Sequence, residues 1–423
     1  MSSLTRAAAL LCVAGLALTG CGRNSGGSAA EPAKSVSSGA ATGTITVWAM
    51  GTEGEKLSVL AKGFEAANPG VTVKITPVPW DAAHDKLATA IAGRQTPDVS
   101  LVGTTWMGEF AKAGALDPTP DVINKSLFFP GAWDTTMVNG TSYGVPWYVE
   151  TRLIYYRKDL AQRAGVQPPT SWAGLTDFAA ALQQKAKAKW GMYLQPGGQG
   201  SWQTFLPFAW QNGATVADQD NKNFTLDSPE MAKAVDYYSS FFRSGLAPKD
   251  LGAAQGEPER GFVDGRFGAF ISGPWHLGIL RDLGGASFMD KVGLVQMPRE
   301  KAGTSFVGGG DLAVFKDSKN RDTAWKFVQF LSLPETQVKW YQTVSDLPAV
   351  KASWEDSALK VDPLLSVFGQ QLNDAKSPPT VSTWEQVASV IDGEVEKSVK
   401  SGESGEDAAK TMQQKASQIG TGA

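Results

Sequence analysis

From residue 44 onward, apolar positions recur with two alternating periods. Thr44-Ile45-Thr46-Val47-Trp48-Ala49 has the pattern of a buried strand. Leu57, Leu60, Ala61, Phe64 and Ala67 then recur at helical spacing until Asn68-Pro69-Gly70 stops the helix. Val71 to Val78 reads as a second strand and Ala82 to Ala92 as a second helix. Thr96-Pro97-Asp98 leads into a third strand, Val99 to Val102. Strand, helix, strand, helix, strand within about sixty residues is the grammar of an open parallel α/β sheet.

The alternation continues downstream. Gly144 to Tyr156 reads as one long β run, and Asp177 to Lys189 and Glu230 to Arg243 as helices. The second of these is headed by Ser228-Pro229, a capping serine followed by proline at the first helical position. Phe267 to Ile271 is a short strand running into Gly273-Pro274-Trp275, and Leu312 to Phe315 is another. Asp322 to Leu333 is a helix with Ala324, Trp325, Phe327, Val328 and Leu331 on its apolar side, and the chain is largely helical from Glu385 on. No repeat and no interdomain linker interrupts this body, so two lobes would have to be joined by crossing strands. Its length suffices for two cores.

Upstream of residue 44 the pattern changes. An apolar run from Ala7 to Leu18 follows the single basic residue Arg6. It is shorter than the roughly 20 residues needed to span a bilayer, and it fits a signal peptide. It ends in Leu18-Thr19-Gly20-Cys21, which resembles the lipobox of bacterial lipoproteins. That resemblance implies cleavage before Cys21, acylation of Cys21 and anchoring at the outer face of the cell membrane. Residues 1–20 would be the signal peptide; ordinary secretion with cleavage elsewhere is the alternative. Residues 21–43, rich in Gly, Ser and Ala without apolar periodicity, read as a flexible tether. Cys12 lies in the discarded segment. Cys21 would be the sole mature cysteine and leaves no disulfide or redox pair.

Composition removes several function classes. The chain carries 39 basic and 42 acidic side chains, a net charge of −3, with no basic stripe, so nucleic acid is not an expected partner. Histidine is limited to His84 and His276, and no cluster has metal-ligand spacing; no metal and no cofactor are expected. Gly308-Gly309-Gly310 precedes a strand rather than a helix, which argues against a phosphate cradle. Carboxylates are plentiful enough to leave a glycosidase acid pair open. Fourteen tryptophans are the other signal. Trp48 and Trp325 sit in strand and helix patterns and read as core. Trp80, Trp106, Trp147, Trp202, Trp275 and Trp384 fall near strand ends or in Gly/Pro-rich loops, where α/β sheets bind ligands. Flat rings there suit the apolar faces of sugars.

Several segments carry a family resemblance over Thr44 to Gly420. They are Ala269-Phe270-Ile271-Ser272-Gly273-Pro274-Trp275, the stretch Gly308 to Glu335, Thr96-Pro97-Asp98, Ala113-Gly114-Ala115-Leu116, and Gly144-Val145-Pro146 leading to Tyr155-Tyr156-Arg157-Lys158-Asp159-Leu160. In their order and spacing the chain resembles the extracellular solute-binding proteins of sugar ABC importers, the group that includes maltose-binding protein. The resemblance implies two open α/β lobes joined by crossover hinge segments, residues 44–154 plus 307–351 and residues 155–306 plus 352–423. It implies a monomer that closes on a neutral mono- or oligosaccharide and delivers it to an ABC permease, with capture rather than catalysis as its work. Capture of a peptide, polyamine or osmolyte, or a secreted glycosidase, are the competing readings.

Site residues follow from the resemblance one by one. Trp275 matches a stacking aromatic of the second lobe, and Glu150 a polar contact beside the hinge. Thr105 and Trp106 lie where first-lobe contacts occur, and Glu53 in the first strand-to-helix loop. Trp384 matches a late second-lobe aromatic. Gly309, Gly310 and Asp311 belong to a Gly-rich crossover, with Asp311 a possible acceptor for a hydroxyl. Arg152, Trp202 and Gln203 are added from local chemistry. The loops around Trp106 and Trp202 depart from maltose-binding protein, so maltose itself is not implied.

Overall fold

The structure, a computed structural model, describes residues 34–251 and 256–422. The expected signal peptide and Cys21 lie outside the described residues. Of the expected tether, residues 34–43 are described, and several are tied to the folded body. Arg321 donates to the carbonyls of Lys34 and Ser35, the Ser37 amide donates to Asp322 (3.0 Å), and Lys326 donates to the Gly39 carbonyl (2.6 Å). A Gly/Ser-rich composition does not reveal such docking, because the charged partners lie almost 300 positions downstream.

The first sheet is built as its hydrophobic pattern predicts. Strand β1 (Gly43–Met50) buries Ile45, Val47 and Ala49. Helix α1 (Ser58–Ala67) covers it with Leu60, Ala61 and Phe64. Strand β2 (Val71–Val78) pairs with β1 in parallel, from Gly43 opposite Val71 to Met50 opposite Val78. Helix α2 (Trp80–Ala92) returns the chain to β3 (Val99–Gly103), parallel to β1 on its other side. Trp48, read as core, is only half-buried, with the Lys86 ammonium 4.5 Å from the centre of its ring.

The β run expected from Gly144 to Tyr156 is two strands in two sheets. Strand β4 (Val145–Thr151) belongs to the first sheet and β5 (Leu153–Arg157) to the second. Arg152 alone separates them. Its carbonyl accepts from the Ser305 hydroxyl (2.8 Å), and the Thr151 hydroxyl donates to the Phe306 carbonyl (2.7 Å). Periodicity cannot show this break, since apolar and aromatic residues stand on both faces of both strands.

Helix α3 (Trp172–Gln184) starts five residues before the predicted Asp177, because the Ser171 hydroxyl caps it by accepting from the Gly174 amide (3.1 Å). It stops early as well, with Lys187 in the left-handed region at φ 64°. Helix α4 (Trp202–Gln211) was not anticipated. Helix α5 (Pro229–Arg243) has the expected cap, the Ser228 hydroxyl accepting from the Met231 amide (3.1 Å). Strands β6 (Ala269–Ser272) and β7 (Val292–Val295) flank β5 antiparallel and complete the second sheet.

Strand β8 (Ser305–Val314) re-enters the first sheet between β3 and β4, antiparallel to both. It is much longer than the Leu312 to Phe315 segment expected, and it contains the whole glycine run. Helix α6 (Arg321–Leu331) and strand β9 (Leu347–Pro348) follow, β9 closing the edge beside β4. The first sheet is therefore mixed rather than parallel, in the order β9-β4-β8-β3-β1-β2. Helices α7 (Trp384–Lys400) and α8 (Gly405–Ile419) end the chain and pack with α3, α4 and α5 in a second hydrophobic cluster. The other cluster surrounds the first sheet and reaches Tyr155 and Phe270 of the second. No helix among the described residues is long and apolar enough to cross a membrane.

The glycine run answers to β4. Gly308, Gly309 and Gly310 lie opposite Glu150, Val149 and Tyr148, and the ladder then slips between Gly310 and Asp311, beside Pro146. Proline lacks an amide to donate, so the irregularity falls where pairing is already lost. Gly309 has φ +130°, and a Cβ there would stand 2.2 Å from the Tyr148 carbonyl oxygen. Gly309→Ala should therefore lose at least about 1–3 kcal/mol of stability. Chemical denaturation measures this; an unchanged midpoint would show that β8 can shift away from β4.

Candidate functional site

Parallel strands point their carboxyl ends to one edge of the first sheet, the edge at which open α/β sheets hold ligands. There the chain leaves β1 into a short helix (Gly51–Lys56) carrying Glu53, leaves β2 into Trp80, and leaves β3 into Thr104, Thr105 and Trp106. These residues form one wall of a cavity of about 790 Å³. Trp80 and Trp106 meet edge to face with ring centres 5.8 Å apart, and Trp106 rests against Phe110 and His84.

The floor comes from β4, β8 and the entry to β9. Tyr148 and Glu150 are two residues apart on β4 and share a face. Leu347 pairs with Val149 in the antiparallel register, which brings Asp346 next to Glu150. Tyr148, Glu150 and Asp346 line the cavity with Glu53. Side-chain hydrogen bonds from Tyr148 and Trp80 reach the Glu53 carboxylate, and burial nevertheless pushes its pKa up. Asp346 accepts from Trp340 Nε1 (3.0 Å); burial, then the charge of Glu53, raises its carboxyl well above the ordinary range. Burial and the same carboxylates push the Tyr148 phenol higher still. Glu150 has a cation beside it: Arg152 Nη1 donates to its carboxylate at 3.2 Å.

The opposite wall is contributed by residues 198–203, Trp275 and α7. Asp392, in the middle of α7, accepts from the Gly200 amide (2.8 Å), the Ser201 hydroxyl (2.8 Å) and the Trp202 amide (2.7 Å), and so holds the start of α4. Burial raises the Asp392 pKa, opposed by these donors. One turn on, Glu396 accepts from the Gly198 amide (3.2 Å) and pairs with Lys400. Trp275 follows β6 and remains 38% exposed, a large apolar ring left at the cavity. The ring folds back over Gly273, where a Cβ would stand 2.0 Å from it. Behind it His276 is buried between the Ser272 hydroxyl and the Glu259 carboxylate, both at 2.8 Å, which fixes the turn.

The structure brings eight of the twelve expected residues to this cavity: Glu53, Thr105, Trp106, Glu150, Trp202, Gln203, Trp275 and Gly309. Four do not line it. Arg152 is buried behind the wall, hydrogen-bonded to Glu150 and Gln203, with its guanidinium 4.6 Å from the Trp275 ring centre. Gly310 points toward Leu101 and the Tyr148 ring. Trp384 is a core residue, 1% exposed, packed edge to face on Trp202. Trp147, also read as loop-facing, is stacked on Trp340 in the core. Asp311 is buried at the slipped register and contacts Thr135, so it offers no acceptor to the cavity.

Several lining residues escaped the sequence reading. Tyr148 could have been found from its two-residue offset to Glu150. Asp392 carries a subtler signal, a carboxylate amid the buried Val387, Ala388, Ile391 and Val395 of α7. Asp346 has no local signal; only the β9–β4 register places it.

A model of the bacterial extracellular solute-binding proteins matches residues 49–338. The chain belongs to that family. Among solved structures, this solute-binding protein resembles the sugar-binding protein MalE from Xanthomonas citri. The two share 32% identity over 89% of this chain and 97% of that one, with a TM-score of 0.83. The GacH receptor of Streptomyces glaucescens GLA.O, solved unliganded and with acarbose, is 28% identical over 89% and 98% of the two chains, at a TM-score of 0.78. The diacetylchitobiose binding protein DasA of Streptomyces coelicolor is 28% identical over 70% of this chain and 71% of its own.

Asp311 of the solute-binding protein carries a stability consequence. Burial pushes its carboxyl from 3.8 up to about 8. The Thr135 hydroxyl has one proton and lies 2.7 Å from the Ala132 carbonyl and 3.0 Å from Asp311 Oδ2. A protonated Asp311 lets both contacts be satisfied. Between about pH 4 and pH 8 the folded chain thus keeps a proton that the unfolded chain releases, and stability falls as pH rises through that window. Asp311→Asn should gain on the order of 1–4 kcal/mol at pH 7 and nothing near pH 4. Thermal denaturation across that range checks it; a variant no more stable than wild type at neutral pH would contradict a neutral buried carboxyl.

Proposed function

We propose that this protein captures a neutral mono- or oligosaccharide between two lobes and delivers it to the permease of an ABC importer. The carrying observation is that four tryptophans (Trp80, Trp106, Trp202 and Trp275) and six carboxylates converge on one cavity of about 790 Å³. That volume lies within the range of small-molecule sites. Aromatic faces supply contact area for the apolar faces of a pyranose, and carboxylates accept hydrogen bonds from its hydroxyls. Relatives that include a diacetylchitobiose binding protein and a maltotriose-binding protein support a carbohydrate. The work is capture rather than catalysis.

In this reading residues 44–154 and 307–351 form one lobe and residues 155–306 and 352–423 the other. The chain crosses between the two sheets at Arg152 and again at Ser305, within a few residues of these bounds, and passes from the first lobe to the second once more near residue 351; these crossings are the hinge. Closure by hinge bending is the established motion of binding proteins of this type. Acylated Cys21 would hold the monomer at the outer face of the cell membrane.

A thermal-shift screen across neutral sugars tests the ligand class, since a ligand at a hundred times its dissociation constant adds about 2.7 kcal/mol. Absence of any shift would count against a sugar. Trp275→Ala, once shown to be folded, should weaken the best sugar about 30- to 100-fold by calorimetry. Equal affinity would move the stacking platform to another ring. For the anchor, Cys21→Ala should release the protein from membranes or block its processing. A processed, membrane-bound variant would refute lipidation at this cysteine.

A further inference from the structure

A second cavity, of about 220 Å³, adjoins the cleft: Trp275, Gly200 and Gln203 line both. Arg152, which does not line the main cavity, lines this one. So does Tyr193, which is 7% exposed and lies along β6, its amide donating to the Ala269 carbonyl at 2.8 Å. The Tyr193 hydroxyl is enclosed and has no hydrogen-bond partner among the described residues. Burial raises its pKa, so the oxygen keeps its proton at neutral pH. A buried polar group left unpaired is costly, and native folds carry few of them without a use.

The other polar groups of this cavity are held in place. His276 binds the Ser272 hydroxyl and the Glu259 carboxylate at 2.8 Å, and the Gly256 amide donates to the second Glu259 oxygen (3.0 Å). Gln203 turns its amide oxygen to Arg152, whose guanidinium only donates, and its nitrogen has no partner among the described residues. Gln195 is fixed the other way round. Its nitrogen donates to the Gly197 and Gln199 carbonyls (3.2 and 3.1 Å), and its oxygen has no partner among the described residues. The cavity thus offers oriented donors at Tyr193 and Gln203 and an oriented acceptor at Gln195. Groups that both donate and accept, such as the hydroxyls of a sugar ring, match that set. Its charged groups already have partners, Arg152 in Glu150 and Glu259 in His276, so the lining calls for a neutral group rather than an ion. A cavity of about 150 Å³ admits benzene, so this one has room for a six-membered sugar ring.

We infer that this side cavity is a subsite for one terminal pyranose unit, so that the preferred ligand is an oligosaccharide with one end beside Tyr193 and the remainder in the cleft. The inference rests on the reading of the cleft as a sugar site and narrows it to ligands of at least two units. Trp275, whose ring borders both spaces, stands at the junction.

Calorimetry on graded probes tests this: glucose, maltose, maltotriose and maltotetraose in one series, cellobiose and cellotriose in a second, N-acetylglucosamine and diacetylchitobiose in a third, with the best sugar from the thermal-shift screen added. In the series that binds, the added unit that enters the side cavity should raise affinity at least about tenfold. Tyr193→Phe removes only the hydroxyl. It should leave the melting temperature of the free protein unchanged or higher, because that hydroxyl has no partner to lose. It should weaken the probes that fill the side cavity about three- to tenfold and leave shorter ones unaffected. Thr204 lines the side cavity and not the cleft, so a folded Thr204→Phe should fill the space and abolish the gain from the added unit. A monosaccharide bound as tightly as any longer probe overturns the inference and leaves the sugar reading standing. So does a Tyr193→Phe variant that weakens all lengths equally or none, or a crystal structure of the best complex with water alone beside Tyr193. No binding by any probe, together with no hit in the neutral-sugar screen, overturns both.

Discussion

One buried cation organises this cleft. Arg152 is the single residue between a strand of the first sheet and a strand of the second, and it is 6% exposed. A guanidinium taken out of water must be paired and hydrogen-bonded, or its desolvation exceeds any gain. Its partners come from both sides of the crossing: Glu150 from the first sheet, Gln203 from helix α4, and the rings of Trp275 and Phe306. The demand for these partners turns the Glu150 carboxylate and the Gln203 amide toward one another and covers part of the Trp275 ring. Three lining residues of the cavity are thus oriented by a side chain that does not line it.

Steric room is the second constraint, and glycine supplies it. A side chain at Gly308 would stand 2.9 Å from Glu150 Oε1, and one at Gly310 2.8 Å from the Tyr148 ring. The run therefore leaves the space that the floor residues occupy. Three tryptophans of the cavity obey the same rule: Trp80 lies against Gly51, Trp106 against Gly103 and Trp275 against Gly273. Each ring reaches the cavity by folding over a backbone with no Cβ in the way. Glycine at the end of a strand and tryptophan a few positions on, or on the adjacent strand's exit, act as one device.

The sequence shows the elements of the first sheet well, because β1, β2, β3 and the helices between them follow simple apolar periods. It shows the strand ends as places for aromatic residues, and four of the six tryptophans singled out there line the cavity. Trp147 and Trp384 fail that test for a local reason: each sits on a stretch of strand or helix whose neighbours are buried, and tryptophan serves a core as readily as a surface. The break at Arg152 and the long β8 are invisible to periodicity. Both are decided by pairing with segments some 150 residues away, Thr151 with Phe306 and Glu150 with Gly308. Asp346 depends on pairing in the same way, and Asp311 depends on a register slip that no composition reveals.

The two walls of the cavity are built to different degrees of rigidity. Tyr148, Glu150, Gly308 and Gly309 stand on central strands of a packed sheet, where neighbours on both sides fix the backbone. Across from them, residues 198–203 form a glycine-rich loop and the first turn of α4, positioned by three hydrogen bonds to Asp392 and one to Glu396. Backbone amides held by a carboxylate keep their geometry without a sheet, and the anchoring helix α7 is itself buried along Trp384, Val387, Ile391 and Val395. A rigid floor with charged groups sets orientation, and a loop latched at a few points can adjust to what is bound. The acids of α7 then have two duties at once, since the same Asp392 that holds the loop also faces the cavity.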